Sequence, residues 1–254
     1  MELDYQTWML VFLRISAFLL VLPFFSATNF PVTIRVALGA LTALLVAPMM
    51  PHYGLANLRL FSVIGVMAQE VGVGLLLGFI SRMVFYAADL AGNFVATELG
   101  LNLGQIFNPM AGSSSQLPGT ILFFLAAIVM LTLDLHHWVL MGFARTYDVL
   151  PMGHVHLNGM LFEAVLRHTG RIFVIALQIC APVLAASFVV TVIFAVLSRA
   201  VPQMNVFTLS FSFRIVAGLA VFGFTLQLTA QYVTNYLNAL PDDLFRVAQM
   251  LGTK

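Results

Sequence analysis

The chain has few charged side chains and almost no cysteine. Charged residues make up 8% of its 254 positions, whereas soluble globular proteins carry roughly 25%. Hydrophobic residues make up 61% and the mean hydropathy is +1.00, so water is not the main solvent for most of the chain. The formal net charge of +1 provides no basic field for nucleic acid. The single cysteine, Cys180, excludes an intramolecular disulfide.

The sequence also lacks recognisable catalytic motifs. The segment Gly112-Ser113-Ser114-Ser115 has no second glycine of the kind that intramembrane serine proteases carry. Tyr147-Asp148 falls in a predicted loop, and the Gly-x-Gly-Asp partner of the intramembrane aspartyl proteases is absent from the sequence. There is no P-loop or dinucleotide fingerprint. We therefore predict a protein that is not an enzyme, with no catalytic residues and no cofactor.

Long apolar runs dominate the chain. A membrane-spanning helix needs about 20 mostly apolar residues, and the runs that approach this length are 8–28, 35–50, 119–141, 171–197 and 207–235. The last two flank a Ser198–Pro202 turn, which predicts a plain helical hairpin. The sequence therefore predicts an all-α, polytopic membrane-type fold made of helical hairpins.

The run 60–101 has about twice the length of one span and contains no proline. It forms either two spans with a tight turn near Ser81-Arg82 or one very long helix. Two spans would give seven in total, and the positive-inside rule would then place the N-terminus outside and the C-terminus in the cytoplasm.

Several charged residues interrupt the apolar runs. A charge at the bilayer centre costs at least about 2.5–3.5 kcal/mol, so such groups usually face a protein partner or a water-filled space. The residues of this kind are Arg14, Glu70, Asp89, Glu98, Asp134 and Arg214.

A polar stripe follows one face of the run 60–101. Its members, spaced by three or four residues as on one side of a helix, are Arg82, Tyr86, Asp89, Asn93 and Thr97. We favour a pore-facing wall or a polar seam between subunits, because the hydrogen-bonding groups of a whole polar stripe in lipid can hardly all find partners within one helix. The alternative is an intrachain neighbourhood of Arg82 and Asp89.

An uncharged loop follows at 104–119. It mixes bulky apolar residues (Ile106, Phe107 and Met110) with flexible glycines. That composition suits either a segment that seals a constriction or a surface linker.

The segment Asp134-Leu135-His136-His137-Trp138 contains potential metal ligands. Adjacent helical residues point about 100° apart, so we expect the two histidines not to converge on one metal ion. Asp134 and His137 are spaced to pair at i, i+3. We predict a buried polar pair or interfacial histidines and no metal site.

The order of several short segments is similar to that of the FliR/SctT family of type III export-gate subunits, over nearly the whole chain. The segments are Pro31-x-x-Ile34-Arg35, Leu99-Gly100-Leu101 before Phe107-Asn108-Pro109, the Asp134–Trp138 to Leu150-Pro151 block, and Ala200–Phe207 before Ser210-Phe211. Many members have aspartate in place of Asn108 and proline in place of Ser212.

The resemblance implies a subunit of the flagellar export gate, in the inner membrane at the flagellar basal body. One copy would join several copies of FliP and FliQ around a narrow pore, with FlhB wrapped around this gate and FlhA forming the neighbouring export ring. Unfolded flagellar proteins would pass through the pore, and the chain would also contact membrane lipid. The alternatives are a virulence-system export gate and a stand-alone secondary transporter.

The resemblance also implies two parts and a plug. Residues 1–170 would be FliP-like and include the loop 104–119, and residues 171–254 would form a FliQ-like hairpin with a C-terminal tail. The pore plug would consist of Ile106, Phe107, Asn108, Pro109, Met110, Ala111, Gly112, Ser113, Ser114, Ser115, Gln116 and Leu117.

Overall fold

The computed structural model describes residues 4–23, 25, 31–54, 59–102, 117–155, 159–201, 203 and 205–252. All regular secondary structure in these ranges is helical, which confirms the predicted all-α class. The helices are α1 (Tyr5–Val21), α2 (Val32–Val46), α3 (Leu60–Glu98), α4 (Leu117–Thr132), α5 (Leu135–Val149), α6 (Gly159–Ala200) and α7 (Val206–Gly252), with a 3-10 turn at Ala47–Met49.

Several helices are long and apolar enough to cross a membrane. Among the described residues four stretches qualify, and α4 with α5 would count as a fifth. Large apolar side chains face outward on them, and Phe61 and Phe224 are each 87% exposed. A surface of this kind requires lipid or partner protein to cover it. The predicted polytopic membrane-type fold is confirmed.

Helix α3 is one continuous helix of 39 residues, about 58 Å long at 1.5 Å per residue. The alternative of two spans with a turn near Ser81-Arg82 is therefore wrong, and the seven-span count and the orientation derived from it lose their basis. The Ser81 hydroxyl donates to the Leu77 carbonyl at 2.9 Å, so this polar residue is satisfied within the helix.

Other boundaries differ from those expected from hydropathy. The run 119–141 is interrupted at Leu133-Asp134, and the segment after it, where Tyr147-Asp148 was predicted to lie in a loop, is helical to Val149. The predicted C-terminal tail, which follows the apolar run 207–235, is helical to Gly252. In both cases an amphipathic face continues the helix after the purely apolar run ends. Its buried residues are Val139, Phe143, Tyr147, Leu237, Leu240, Leu244, Val247 and Leu251.

The chain divides into two compact units. Unit 1 comprises Met1–Met83, Asp134–Thr169 and Leu237–Lys254, and unit 2 comprises Val84–Leu133 and Gly170–Tyr236. Both are discontinuous in sequence, because α3, α6 and α7 each contribute residues to both. The division at residue 170 into FliP-like and FliQ-like parts stays a prediction.

In unit 1, α1 packs against α2, α3 and α5. Asp4 caps the start of α1, and the hydrogen bond that its carboxylate accepts from the Thr7 hydroxyl (2.7 Å) lowers the pKa of Asp4. The rings of Phe18 and Phe143 stack with centroids 4.3 Å apart. Gly74 lets α3 approach α1 closely, because a Cβ there would lie 2.3 Å from the Arg14 carbonyl oxygen.

In unit 2, α3, α4, α6 and α7 share an apolar core. Its fully or nearly fully buried residues are Ala88, Ala91, Val95, Leu99, Leu122, Ala176, Ile179, Cys180, Val183 and Phe222. Cys180 is thus a buried thiol among hydrocarbon side chains. Phe194 of α6 and Phe213 of α7 are in ring contact at 5.4 Å, which supports the predicted α6–α7 hairpin.

Candidate functional site

Two of the charges that interrupt apolar runs form a buried ion pair in unit 1. Arg14 of α1 and Glu70 of α3 are both completely buried. The Arg14 guanidinium binds the carboxylate in a fork, with Nε donating to Oε2 and Nη2 donating to Oε1 at 3.1 Å. The two-bond geometry is the one that arginine adopts with carboxylates.

The turn after α5 completes the surroundings of this pair. Arg14 Nη1 donates to the Leu150 carbonyl at 3.1 Å, and the guanidinium carbon lies 4.2 Å from the centre of the Tyr147 ring. The Gly153 N–H donates to Glu70 Oε1 at 3.0 Å. Gly153 has φ 72°, a left-handed conformation that glycine adopts without a steric penalty.

The polar groups of the Arg14 and Glu70 side chains are hydrogen-bonded to each other and to backbone groups. Each charge has an opposite charge and a backbone partner, which is the condition for burying an ion pair. Tyr147 lies in α5 and contacts Arg14, so its placement in a loop was wrong. The cluster joins α1, α3 and the 150–153 turn inside unit 1.

A second charged cluster lies in unit 2. Glu98 at the end of α3 accepts a hydrogen bond from the Ser187 hydroxyl at 2.6 Å. Arg214 of α7 donates to the Thr191 hydroxyl at 3.0 Å and lies 3.9 Å from Glu98. The hydroxyls of α6 therefore connect the acid of α3 with the base of α7, although the Glu98 and Arg214 side chains are 36% and 28% exposed.

Helix α3 ends in a Schellman motif immediately before the predicted plug loop. The Leu101 N–H donates to the Ala96 carbonyl and the Gly100 N–H to the Thr97 carbonyl, with Gly100 at φ 69°. This is the usual left-handed glycine stop of a helix. A Cβ on Gly100 would meet the Phe211 ring of α7 at 2.4 Å, so this end of the loop is held against α7.

The other end of the loop is held against α3. Gly119 in the first turn of α4 meets Gly92 of α3, where a Cβ on Gly92 would lie 2.1 Å from the Gly119 Cα. The Asp89 carboxylate lies beside the same turn, 3.1 Å from where a Gly119 Cβ would be. A negative charge near the first turn of a helix is favourable because of the helix dipole.

The predicted plug residues Ile106–Gln116 lie outside the described residues. Leu117, the last residue of that set, begins α4 and is 65% exposed. What the structure describes of this region is therefore its two ends: the Schellman stop at Gly100 and the packed turn at Gly119.

The polar stripe follows the outward face of α3. Tyr86, Asp89 and Thr97 are exposed, whereas Ala88 and Ala91 on the opposite face are completely buried. The Asn93 amide donates to the Asp89 carbonyl at 2.9 Å and the Asn102 amide to the Thr97 hydroxyl at 3.1 Å.

Arg82, the remaining stripe residue, belongs to unit 1. It donates to the Val21 carbonyl at 3.4 Å. The role of the stripe as a pore wall or inter-subunit seam stays a prediction.

The histidine segment forms a small polar cluster in unit 1. Asp134 and His137 pair at i, i+3 as predicted, with 3.7 Å between the carboxylate and Nδ1, but the His137 and Asp134 side chains are 69% and 74% exposed. The prediction that this pair is buried is therefore wrong. The His136 and His137 ring centroids lie 4.1 Å apart, closer than we expected from the angle between neighbouring helical residues. Asp134, His136 and His137 each place one potential ligand atom within 4.8 Å of the others, and they are the only such group in the part of the chain that the structure describes.

Sequence reasoning identified the charged residues but not which of them contact each other, nor their hydroxyl and backbone partners. Arg14 and Glu70 are 56 residues apart, and no periodic pattern links positions on different helices. Ser187 and Thr191 carry a detectable signal, because hydroxyls four residues apart in a very apolar helix share one face.

Comparisons with known proteins place this chain in a family. The FliR protein of Pectobacterium carotovorum subsp. carotovorum is 28% identical over 244 residues, covering 95% of this chain and 92% of that protein. Bacillus subtilis FliR is 27% identical, with 83% and 82% covered, and Escherichia coli FliR is 24% identical, with 87% and 84% covered. All three are named flagellar biosynthetic protein. The model of bacterial export proteins, family 1, matches residues 5–240, and the chain therefore belongs to that family.

Proposed function

We propose that the chain is a structural, pore-forming subunit of the flagellar type III export gate, through which unfolded flagellar proteins cross the inner membrane. The observation that carries this proposal is the family match over residues 5–240, together with the flagellar names of relatives aligned over most of their lengths. The buried charges support a structural role rather than catalysis, because Arg14 and Glu70 are fully engaged with each other and with backbone.

The partners proposed from the family resemblance are FliP and FliQ in the gate, FlhB around it and FlhA beside it. The amount of exposed apolar surface supports association with other subunits as well as with lipid. Residues such as Leu45, Phe162, Phe188 and Val216 are more than half exposed. The gate would lie at the flagellar basal body.

We propose that residues 106–117 form the plug of the pore. Both ends of this segment are supported in unit 2, by Phe211 against Gly100 and by Gly92 against Gly119. Fixed ends would let an uncharged middle seal the pore at rest and shift when a substrate arrives. The apolar Ile106, Phe107 and Met110 would exclude ions without binding passing chains tightly.

Deleting residues 110–116 is expected to open an ion leak, because the shortened loop would no longer fill the constriction. Cells expressing the variant with its partner subunits would show increased permeability to small ions, measured as loss of membrane potential. A matched variant, Ile106→Ser with Phe107→Ser and Met110→Ser, keeps the loop length and tests whether the apolar side chains make the seal. Unchanged ion tightness and unchanged export in the deletion variant would contradict the plug.

Charge reversal at the stripe tests the proposed seam. Asp89→Lys is expected to reduce co-purification with FliP and FliQ, because it puts a cation where the seam presents an exposed acid. Asp148→Lys is the matched control, since Asp148 is also exposed but belongs to α5 in unit 1 and is not a stripe residue. Normal recovery of the partners with Asp89→Lys would argue against a seam on this face.

Purification and complementation separate the alternative functions. A gate subunit is expected to co-purify as a large hetero-oligomer, whereas a stand-alone transporter would be recovered and remain stable without partners. Restoration of swimming in a bacterium that lacks its own flagellar homologue would support the flagellar assignment. Failure there, with restored secretion in a virulence system, would favour the virulence gate.

A further inference from the structure

The break between α4 and α5 brings three potential metal ligands together, one carboxylate and two imidazoles. Asp134, His136 and His137 each offer one ligand atom, and these atoms lie within 4.8 Å of one another. Asp134 and His137 are exposed and their side chains lie 3.7 Å apart. None of these residues belongs to the proposed plug or to the polar stripe.

The backbone at Asp134 has an unusual conformation. With φ 53°, Asp134 is the only non-glycine residue in the described part of the chain that has positive φ. It occupies the N-cap position of α5, yet its side chain makes no capping hydrogen bond. Aspartate at an N-cap normally accepts such a bond. The carboxylate instead lies near the His137 ring nitrogen.

His136 supplies a second, independent observation. Its Nδ1 atom is buried from solvent and has no hydrogen-bond partner. Buried ring nitrogens are normally satisfied. The His136 ring lies 4.1 Å from the His137 ring at an interplanar angle of 37°, so the unpartnered nitrogen belongs to a ring that lies beside a second imidazole.

From these observations we propose that Asp134, His136 and His137 bind a divalent transition-metal ion of the Zn²⁺, Ni²⁺ or Cu²⁺ class. Two imidazole nitrogens and one carboxylate oxygen are typical ligands for these ions, with water in the remaining position. Donors about 2.1 Å from a tetrahedral ion lie about 3.4 Å from each other. Small rotations of the exposed Asp134 and His137 side chains would bring the cluster to that spacing.

Trp138 provides a direct optical test. The chain has two tryptophans, and Trp138 follows His137 and is 55% exposed. In full-length Trp8→Phe protein, purified in detergent through a tag without histidine, Trp138 is the only indole. Cu²⁺ or Ni²⁺ at micromolar concentration is expected to quench its fluorescence with a saturable one-to-one curve that a chelator reverses.

Ligand substitutions distinguish this site from general metal adsorption. His136→Ala and His137→Ala are each expected to weaken binding at least about tenfold, and His154→Ala is the control because its Nδ1 contacts the Met152 carbonyl. Asp134→Asn keeps a residue that tolerates the left-handed backbone and should also weaken binding. A linear quench that does not saturate would overturn the proposal. So would a metal affinity in the His136→Ala, His137→Ala and Asp134→Asn proteins equal to that of the protein with all three ligands.

A zinc titration gives a readout that does not depend on quenching. Zn²⁺ is expected to raise the unfolding midpoint of the unsubstituted protein, because a ligand that binds only the folded state stabilises it. Zn²⁺ should raise the midpoint of the His154→Ala protein by the same amount as that of the unsubstituted protein, and it should raise the midpoint of the Asp134→Asn protein by less. Equal stabilisation of the Asp134→Asn protein would contradict a role for the carboxylate.

Discussion

Replacing Arg14 with alanine is expected to lower the free energy of unfolding by about 3–5 kcal/mol, because it leaves Glu70 as an uncompensated buried charge. Both side chains are completely buried. The substitution also removes the hydrogen bond to the Leu150 carbonyl and the contact with the Tyr147 ring. One change therefore removes the charged contact between α1 and α3 and the hydrogen bond from α1 to the turn after α5.

The measurement is unfolding of the full chain in mixed detergent micelles, followed by circular dichroism. Arg167→Ala is the control in the same unit, since Arg167 pairs with Glu163 at 2.8 Å but both side chains are about 70% exposed. Exposed pairs of this kind contribute about 0.5 kcal/mol or less. Equal effects of the two substitutions would show that burial does not determine the contribution of the Arg14 pair.

A double substitution separates charge burial from loss of packing. Arg14→Met with Glu70→Leu replaces the ion pair with apolar side chains, and such replacements are often neutral or stabilising. We expect the double variant to be more stable than Arg14→Ala alone. If it is no better, the hydrogen bonds to Leu150 and Gly153, rather than charge compensation, are the main contribution.

The helical fold could be predicted because its signal is local. Apolar runs locate α1, α2, α6 and α7, and the absence of proline from 60–101 was consistent with the single helix α3. Hydropathy failed where a helix becomes amphipathic. Residues 237–252 contain charges, yet Leu237, Leu240 and Leu244 form a buried face. Spacing of three and four residues would have extended α7 correctly.

Partners on different helices could not be predicted from one sequence. Glu98 was recognisable as an acid in an apolar run, but its hydroxyl partner Ser187 is 89 residues away. The left-handed turn at Asp134 was equally hidden, because nothing in Leu133-Asp134-Leu135 marks a break. In physical terms, tertiary contacts select one pairing among many that local propensity allows.

Gly92→Ala is expected to destabilise unit 2 by about 3 kcal/mol, at the upper end of the cost of overpacking. The added Cβ would lie 2.1 Å from the Gly119 Cα and 2.3 Å from the Gly119 nitrogen. These are backbone atoms, so no side-chain rotation relieves the overlap and α3 must move away from α4. The preference of helices for alanine over glycine, about 1 kcal/mol, offsets only part of this cost.

Two other glycines of unit 2 make the comparison quantitative. Gly223→Ala in α7 meets nothing within 4 Å, so it should be neutral or slightly stabilising. Gly119→Ala should have an intermediate effect, because its Cβ first meets the Asp89 carboxylate at 3.1 Å, a side-chain group that can turn away. The unfolding midpoints should therefore rank Gly223→Ala above Gly119→Ala above Gly92→Ala. If the Gly92→Ala and Gly223→Ala proteins have the same unfolding midpoint, the close approach of α3 and α4 is not what requires glycine at position 92.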